Sequence, residues 1–415
     1  MHYFDELGSL VNKLWKQRDY DYRLFPGVAQ DAFSQLPPVQ HTSFEDAVNF
    51  GLTTDPLPYQ EDIAGLFGQP PLSVYVGRGF RVEILFWLNA TPAIHQHSFS
   101  GAFGVLHGSS LHLSWGFDVE QRVTTHLHYG KVRLKKAELL SVGDFRPILS
   151  GDGFIHTTFH LERPSVSLVI RTLNEEDRQP QYIYLPPTIC WDTPDLLPSL
   201  KRKEQLLAML LQCDRVSEYR ERVASLIDTS DTYSVFRYLV HAAYVVKSKE
   251  VFDELLTHAT SRHDRLMERL TPALARLRRQ RQIIELREKV SSPDLKFVLA
   301  LLANVTDKTT LFQLLKQRYA TQDPVDVLVN AVGELSAQNL LGSHFNEAWL
   351  LLLECLLKAV TGMSGIRAIF ERKYGPEQVS IQGAKLDSLA LKLRQFWLVQ
   401  PYMEDTHAFA VEQVA

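Results

Sequence analysis

Near Pro194 the chain changes its period, and that change constrains the fold more than any other feature. From residue 72 onward, short segments rich in β-branched and aromatic residues follow one another: Val74 to Val76, Arg81 to Leu88, Ala102 to Leu106, Leu111 to Trp115, Arg122 to Leu127, Phe154 to Leu161 and Val166 to Thr172. Glycine-containing turns such as Gly77-Arg78-Gly79, Gly108 and Gly151-Asp152-Gly153 separate them, which predicts an all-β sandwich or barrel. Tyr182 to Leu185 reads as a last strand, stopped by Pro186-Pro187. Beyond Pro194 apolar residues recur at helical spacing from Leu197 to about Leu398, punctuated by Ser230-Asp231, Ser292-Pro293, Thr306-Asp307, Asp323-Pro324, Gly342-Ser343 and Gly375-Pro376. The fold class is therefore α+β and multidomain, an antiparallel β-barrel followed by an all-α domain.

A chain of 415 residues exceeds a single hydrophobic core, in agreement with that division. Residues 1–70 read as a helical and loop extension packing on the barrel, 71–192 as the barrel, 196–400 as the helical domain and 401–415 as a mobile tail. In the extension, Phe4, Leu7, Val11 and Trp15 have helical spacing, and Ser43 to Asp46 resembles an N-terminal cap. Its proline pairs at 37–38 and 70–71 predict loops elsewhere.

The formal charge of −4 gives no electrostatic reason to expect nucleic acid. Arg276, Arg278, Arg279, Arg281 and Arg287, interrupted by Glu285, read as a solvated helix face. The longest apolar stretch, Ala348 to Leu357, is broken by Glu354 and too short for a bilayer, so no membrane is expected. Three widely spaced cysteines, Cys190, Cys213 and Cys355, argue against a disulfide framework and a cysteine zinc cluster. With Met1 to Glu6 carrying an acidic pair and no apolar run, the expected compartment is the cytoplasm.

Residues two apart on a strand share a face, so His95 and His97 can aim two imidazoles at one point. The segment His95-x-His97-x3-Gly101-x6-Gly108 resembles the first motif of the cupins, with Gly101 in place of the usual Glu. Gly151-x-Gly153-x2-His156-x3-His160 resembles the second, with Gly151 for Pro and His160 for Asn. The resemblance covers residues 72–190 and implies a double-stranded β-helix with His95, His97 and His156 as metal ligands and no carboxylate ligand. Within the cupins it is similar to thiol dioxygenases of the cysteine dioxygenase type. Tyr75, Arg78 and Val166-Ser167-Leu168 resemble segments of that family, but residues 98–107 hold no crosslinking cysteine, and Val169 and Arg171 stand where the family has His and Tyr.

Three neutral imidazoles leave a bound Fe(II) its full charge and open positions for an anionic substrate and O2 as co-substrate, with Zn and Ni the alternative metals. The resemblance thus implies an Fe(II)-dependent dioxygenase acting on a small carboxylate-bearing molecule, amino acid- or thiol-like. Alternatives are a metal-dependent isomerase or lyase, or a ligand-sensing barrel whose helical domain binds a protein partner. Cupins often dimerise, which adds a homodimer to the expected assemblies.

Arg78, Arg81 and Arg171, with Tyr75, are the candidate substrate-binding residues, because a guanidinium fork matches a carboxylate. His160 and Ser167 are the candidate catalytic side chains. His160 lies roughly 13 Å along the strand from His156, which makes it a pocket residue or a core histidine. His107 and His112, beside the Gly108 turn, read as surface residues, and His126 and His128 as one face of an edge strand. His344 to Glu347 has ligand-like spacing but no second copy, so no di-iron site is expected.

Overall fold

The computed structural model describes residues 3–61, 68–88, 93–175, 179–192, 198–360 and 362–403. Among these residues four α-helices come first: α1 (Tyr3–Lys16), α2 (Phe25–Gln35), α3 (Pro38–His41) and α4 (Phe44–Thr53). α1 buries Phe4, Leu7, Val11 and Trp15, each burial stabilising by about 1.5–3 kcal/mol. The expected cap of α4 forms as a capping box between Ser43 and Asp46. α2 and α3 fall where loop was predicted, because Pro26 and Pro38 open helices instead of breaking them.

Eleven strands of the described residues follow: β1 (Pro71–Gly77), β2 (Phe80–Trp87), β3 (Ile94–His97), β4 (Gly101–His107), β5 (Ser110–Thr124), β6 (Leu127–Leu140), β7 (Phe145–Ile148), β8 (Gly151–His160), β9 (Ser165–Thr172), β10 (Tyr182–Leu185) and β11 (Ile189–Asp192). β3, β8, β5, β6, β11 and β10 close into a small barrel, while β1, β2, β9, β4 and β7 form a five-stranded sheet. The predicted strand over 122–127 is instead the end of β5, a turn at Thr125-His126, and the start of β6. β6 is a central strand between β5 and β11, not an edge.

α1, α2 and α4 share one core with β1, β2, β4 and β9. A second, small cluster, formed by Phe103, Val105, Leu140, Ile148 and Val169, joins the five-stranded sheet to barrel strands.

Eleven more α-helices of the described residues follow: α5 (Pro198–Gln212), α6 (Val216–Thr229), α7 (Thr232–Val245), α8 (Lys249–Arg262), α9 (Asp264–Lys289), α10 (Pro293–Asn304), α11 (Lys308–Arg318), α12 (Pro324–Ala337), α13 (Glu347–Leu357), α14 (Gly362–Tyr374) and α15 (Pro376–Arg394). Asp231, Ser292, Asp307 and Asp323 cap α7, α10, α11 and α12 through their side chains, at the expected breaks. No helix among the described residues is long and apolar enough to cross a membrane.

The chain divides into two compact units, Met1–Arg278 and Arg279–Ala415. The expected boundary between 192 and 196 is thus not where the units part. The reason is a shared core: Leu127, Tyr129, Leu185, Ile189 and Trp191 of the barrel pack in one cluster with Leu200, Tyr219, Phe236, Leu255 and Leu270 of α5 to α9. In the second unit, α10 is buried on every side, with Leu295, Val298, Leu299, Leu301 and Leu302 at 2% exposure or less, as expected of a helix apolar all round. Residues 404–415 of the expected tail lie outside the described residues.

Candidate metal centre

β3 and β8 pair antiparallel with His95 directly opposite His156. A register shift between His95 and His97 brings His97 beside Gly151, whose φ of +76° suits glycine. One ring nitrogen from each of the three histidines lies within 4.8 Å of the others. His97 Nε2 stands 2.8 Å from His156 Nε2. Two nitrogens bound to one metal at about 2.1 Å lie about 3 Å apart when they are neighbours, so the spacing fits a shared ion. His95 Nδ1 is 3.0 Å from the Ala93 carbonyl, which fixes a proton there and leaves Nε2 for coordination.

Gly101 explains the missing carboxylate. A Cβ at this position would stand 1.9 Å from the Ile170 carbonyl oxygen of the neighbouring strand β9. No side chain fits there without moving the backbone, so the approach of β4 to β9 leaves no room for the Glu that the resembled motif carries at this position.

Burial, the largest cause, pushes the His97 and His156 imidazoles well below their ordinary range, and the neighbouring histidines add to it. Rings held neutral in this way are ready to ligate a metal. Arg171 adds to the depression at His97. Its guanidinium lies 4.7 Å over the Phe99 ring, and Phe99 packs 4.5 Å from His97. Arg171 Nε donates to Glu83 at 2.6 Å, and Arg81 Nε lies 3.2 Å from the same carboxylate. Arg81 also pairs with Glu61. Phe154 and Phe103 stand 4.4 and 5.8 Å from the His156 ring.

Behind the triad lies a residue that the sequence placed on the surface. His112 is 3% exposed, and its Nε2 is 3.2 Å from His156 Nδ1. Its Nδ1 is 3.1 Å from Glu138, which also receives Arg146 at 2.8 Å and Lys136 at 2.7 Å. The alternation Leu111-His112-Leu113 suggests one wet face, but both faces of β5 are covered here, so all three residues are buried. The arrangement can hold a mononuclear metal, tune one ligand from behind through His112, and present a guanidinium beside another.

Of the remaining candidates, Arg171 alone stands beside the triad. Arg81 is tied into the Glu61 and Glu83 pairs. Arg78 lies 4.6 Å over the Tyr20 ring, and Tyr75 packs on Phe80 among the N-terminal helices. His160 is buried, with Nδ1 3.0 Å from Ser110 Oγ and its ring stacked on Trp87 at 4.6 Å. Ser167 accepts a hydrogen bond from Trp87 Nε1 at 2.9 Å. His126 faces Asp192 at 3.3 Å and His128 packs on Tyr182.

The arginine run is not a solvated face. Arg276 lies over Trp115, Arg278 donates to Val246 O, and Arg287 donates to Lys296 O. Arg279 donates to the carbonyls of Trp397, Leu302 and Leu398. These side chains satisfy backbone carbonyls and cover rings, which their charge pattern does not reveal. Asn346 caps α13 and Glu347 pairs with Lys373, so His344 to Glu347 serves the helix start.

No protein-family model matches the chain, and no curated protein matches it either. Solved structures similar to it include a cupin-2 domain containing protein from Shewanella frigidimarina NCIMB 400, at 10% identity over 30% of this chain and 90% of that one, with a TM-score of 0.19. They also include DMSP lyase DddQ from Ruegeria pomeroyi DSS-3, at 16% identity over 34% and 66% with a TM-score of 0.22. A third is hydroquinone 1,2-dioxygenase PnpCD, at 16% identity over 25% and 63% with a TM-score of 0.19. The match spans less than two thirds of the latter two proteins. Likeness at this level carries no argument about activity. The chain's own residues do: a closed small barrel and a three-histidine cluster are both present, as the cupin resemblance implied.

Proposed function

We propose that the chain is a mononuclear non-haem Fe(II)-dependent oxygenase for a small carboxylate-bearing substrate, amino acid- or thiol-like. The observation that carries this reading is the convergence of three imidazole nitrogens within 4.8 Å, in a chain whose Gly101 has no room for a side chain. An Fe(II) held by His95, His97 and His156 keeps its full positive charge and open positions, and supplies redox chemistry with O2 there.

The chain's residues do the rest. Arg171 offers a guanidinium to an anionic substrate next to His97. Glu83 and the Phe99 ring hold that guanidinium in place. Phe99, Phe103 and Phe154 give the cluster apolar walls that limit water.

The test is O2 consumption by the Fe(II)-loaded chain, screened against amino and thiol acids. Uptake stimulated by one acid, with KM raised at least tenfold in Arg171→Gln, supports the reading. Turnover without O2 uptake in the Zn- or Ni-loaded chain replaces it with an isomerase or lyase. Ligand binding without turnover under any metal replaces it with a sensing barrel.

A further inference from the structure

We infer that Glu138 and His112 form a positioning relay that fixes the proton of His156 on Nδ1 and so turns a bare Nε2 toward His95 and His97. The inference deepens the metal-centre reading and rests on it for its purpose, though not for its proton arrangement.

The relay crosses three adjacent strands. His112 on β5 is the cross-strand partner of Glu138 on β6, and Ser114, two residues along β5, is the partner of His156 on β8. The three side chains form one line, Glu138 Oε1 to His112 Nδ1 at 3.1 Å and His112 Nε2 to His156 Nδ1 at 3.2 Å.

Its direction follows from the far end. Arg146 donates to both carboxylate oxygens of Glu138, at 3.0 and 2.8 Å, and Lys136 adds a third contact at 2.7 Å. A carboxylate facing two cations is ionised, and an ionised carboxylate only accepts. His112 therefore carries its proton on Nδ1. Glu138 is already matched by Arg146 and Lys136, and His112 is 3% exposed, so a second proton would place an extra buried cation beside them.

Neutral His112 then accepts at Nε2, and His156 donates from Nδ1. In the metal-free chain its Nε2 is bare and accepts from His97 Nε2, 2.8 Å away, a proton that a metal at His97 Nε2 would displace to Nδ1. Without the metal, that assignment leaves His97 Nδ1 without a proton, and this ring nitrogen is buried with no hydrogen-bond partner. One proton per ring thus satisfies every short contact. The reverse direction needs a protonated Glu138 between an arginine and a lysine.

A partner behind a ligating imidazole sets its orientation and raises its basicity, and its removal costs 10–100-fold in metal affinity. Glu138 and His112 are positioning residues, since they act through His156.

The test has two arms on the full chain. In metal-free protein with 15N-labelled histidine, long-range 1H–15N correlation reads the His156 tautomer, assigned by its loss in His156→Gln. Protonation at Nδ1 that is lost in His112→Phe and in Glu138→Gln supports the relay, and protonation at Nε2 in the unmutated chain overturns it. A merely structural role would lower stability and leave the tautomer alone. In the second arm, Co(II) is titrated against a competing chelator. About 10–100-fold weaker binding in His112→Phe or Glu138→Gln is expected, and affinity within threefold of the unmutated chain in both overturns the relay. An unmutated chain that takes up no Co(II) overturns the metal-centre reading instead, and the tautomer arm still decides the relay.

Discussion

His160→Phe separates a buried core histidine from a titrating one. His160 stacks on Trp87 and holds Ser110 Oγ through Nδ1, and burial pushes its pKa from an ordinary 6.5 down to about 3. The folded chain keeps the ring neutral, while the unfolded chain protonates it below its ordinary value. Between those two values the unfolded state binds the extra proton, so stability is lost as the pH falls from 6.5 toward 3. At about pH 5 the loss from this one group is about 2 kcal/mol relative to about pH 7.5, at 1.36 kcal/mol per unit. Phenylalanine keeps the stack but not the titration, and gives up the Ser110 hydrogen bond at a pH-independent cost of about 1 kcal/mol. Hydrogen exchange of the β8 amides in metal-free protein reads the opening energy of that strand without requiring the whole chain to unfold as one unit. The variant should be the less stable by about 1 kcal/mol near neutrality, and the difference should shift by about 2 kcal/mol in its favour at about pH 5, leaving the variant the more stable there by about 1 kcal/mol. A gap that does not change with pH refutes the assignment.

Two further outcomes follow from the packing. Gly101→Ala should destabilise the chain by about 1–3 kcal/mol or more, because its Cβ meets the Ile170 carbonyl, and Gly101→Glu should gain no carboxylate ligand. Chemical denaturation and metal analysis check both, and a stable, metal-loaded Gly101→Glu chain contradicts the steric argument. Arg279→Met strips hydrogen bonds from three carbonyls and should weaken the second unit by about 2–4 kcal/mol, read as faster amide exchange in α10 and at residues 397–402. Unchanged exchange returns the arginine run to a solvated face.

The site was legible where strand period and residue type coincide. His95 and His97 share a face by the two-residue rule, and the spacing of Gly153 and His156 matched a second motif. His112 was not, because a histidine between two leucines reads as the wet side of a strand, and only a covering layer buries it. Glu138 lies in Lys131 to Leu140, whose charges hide a strand that pairing with β5 holds in place. The division of the helices was hidden for a related reason. An apolar stripe says that a helix packs, not on what, so α5 to α9 could not be assigned to the barrel's core. The caps needed only local sequence, and Asp231, Ser292, Asp307 and Asp323 stand where they were expected.

Metal content tests the central claim most directly. Chain prepared anaerobically with Fe(II), then desalted and analysed for iron, should hold it near-stoichiometrically, and His95→Ala prepared in parallel should hold almost none while keeping its fold by circular dichroism. Full iron occupancy in His95→Ala, or none in the unmutated chain, contradicts a centre built on His95, His97 and His156.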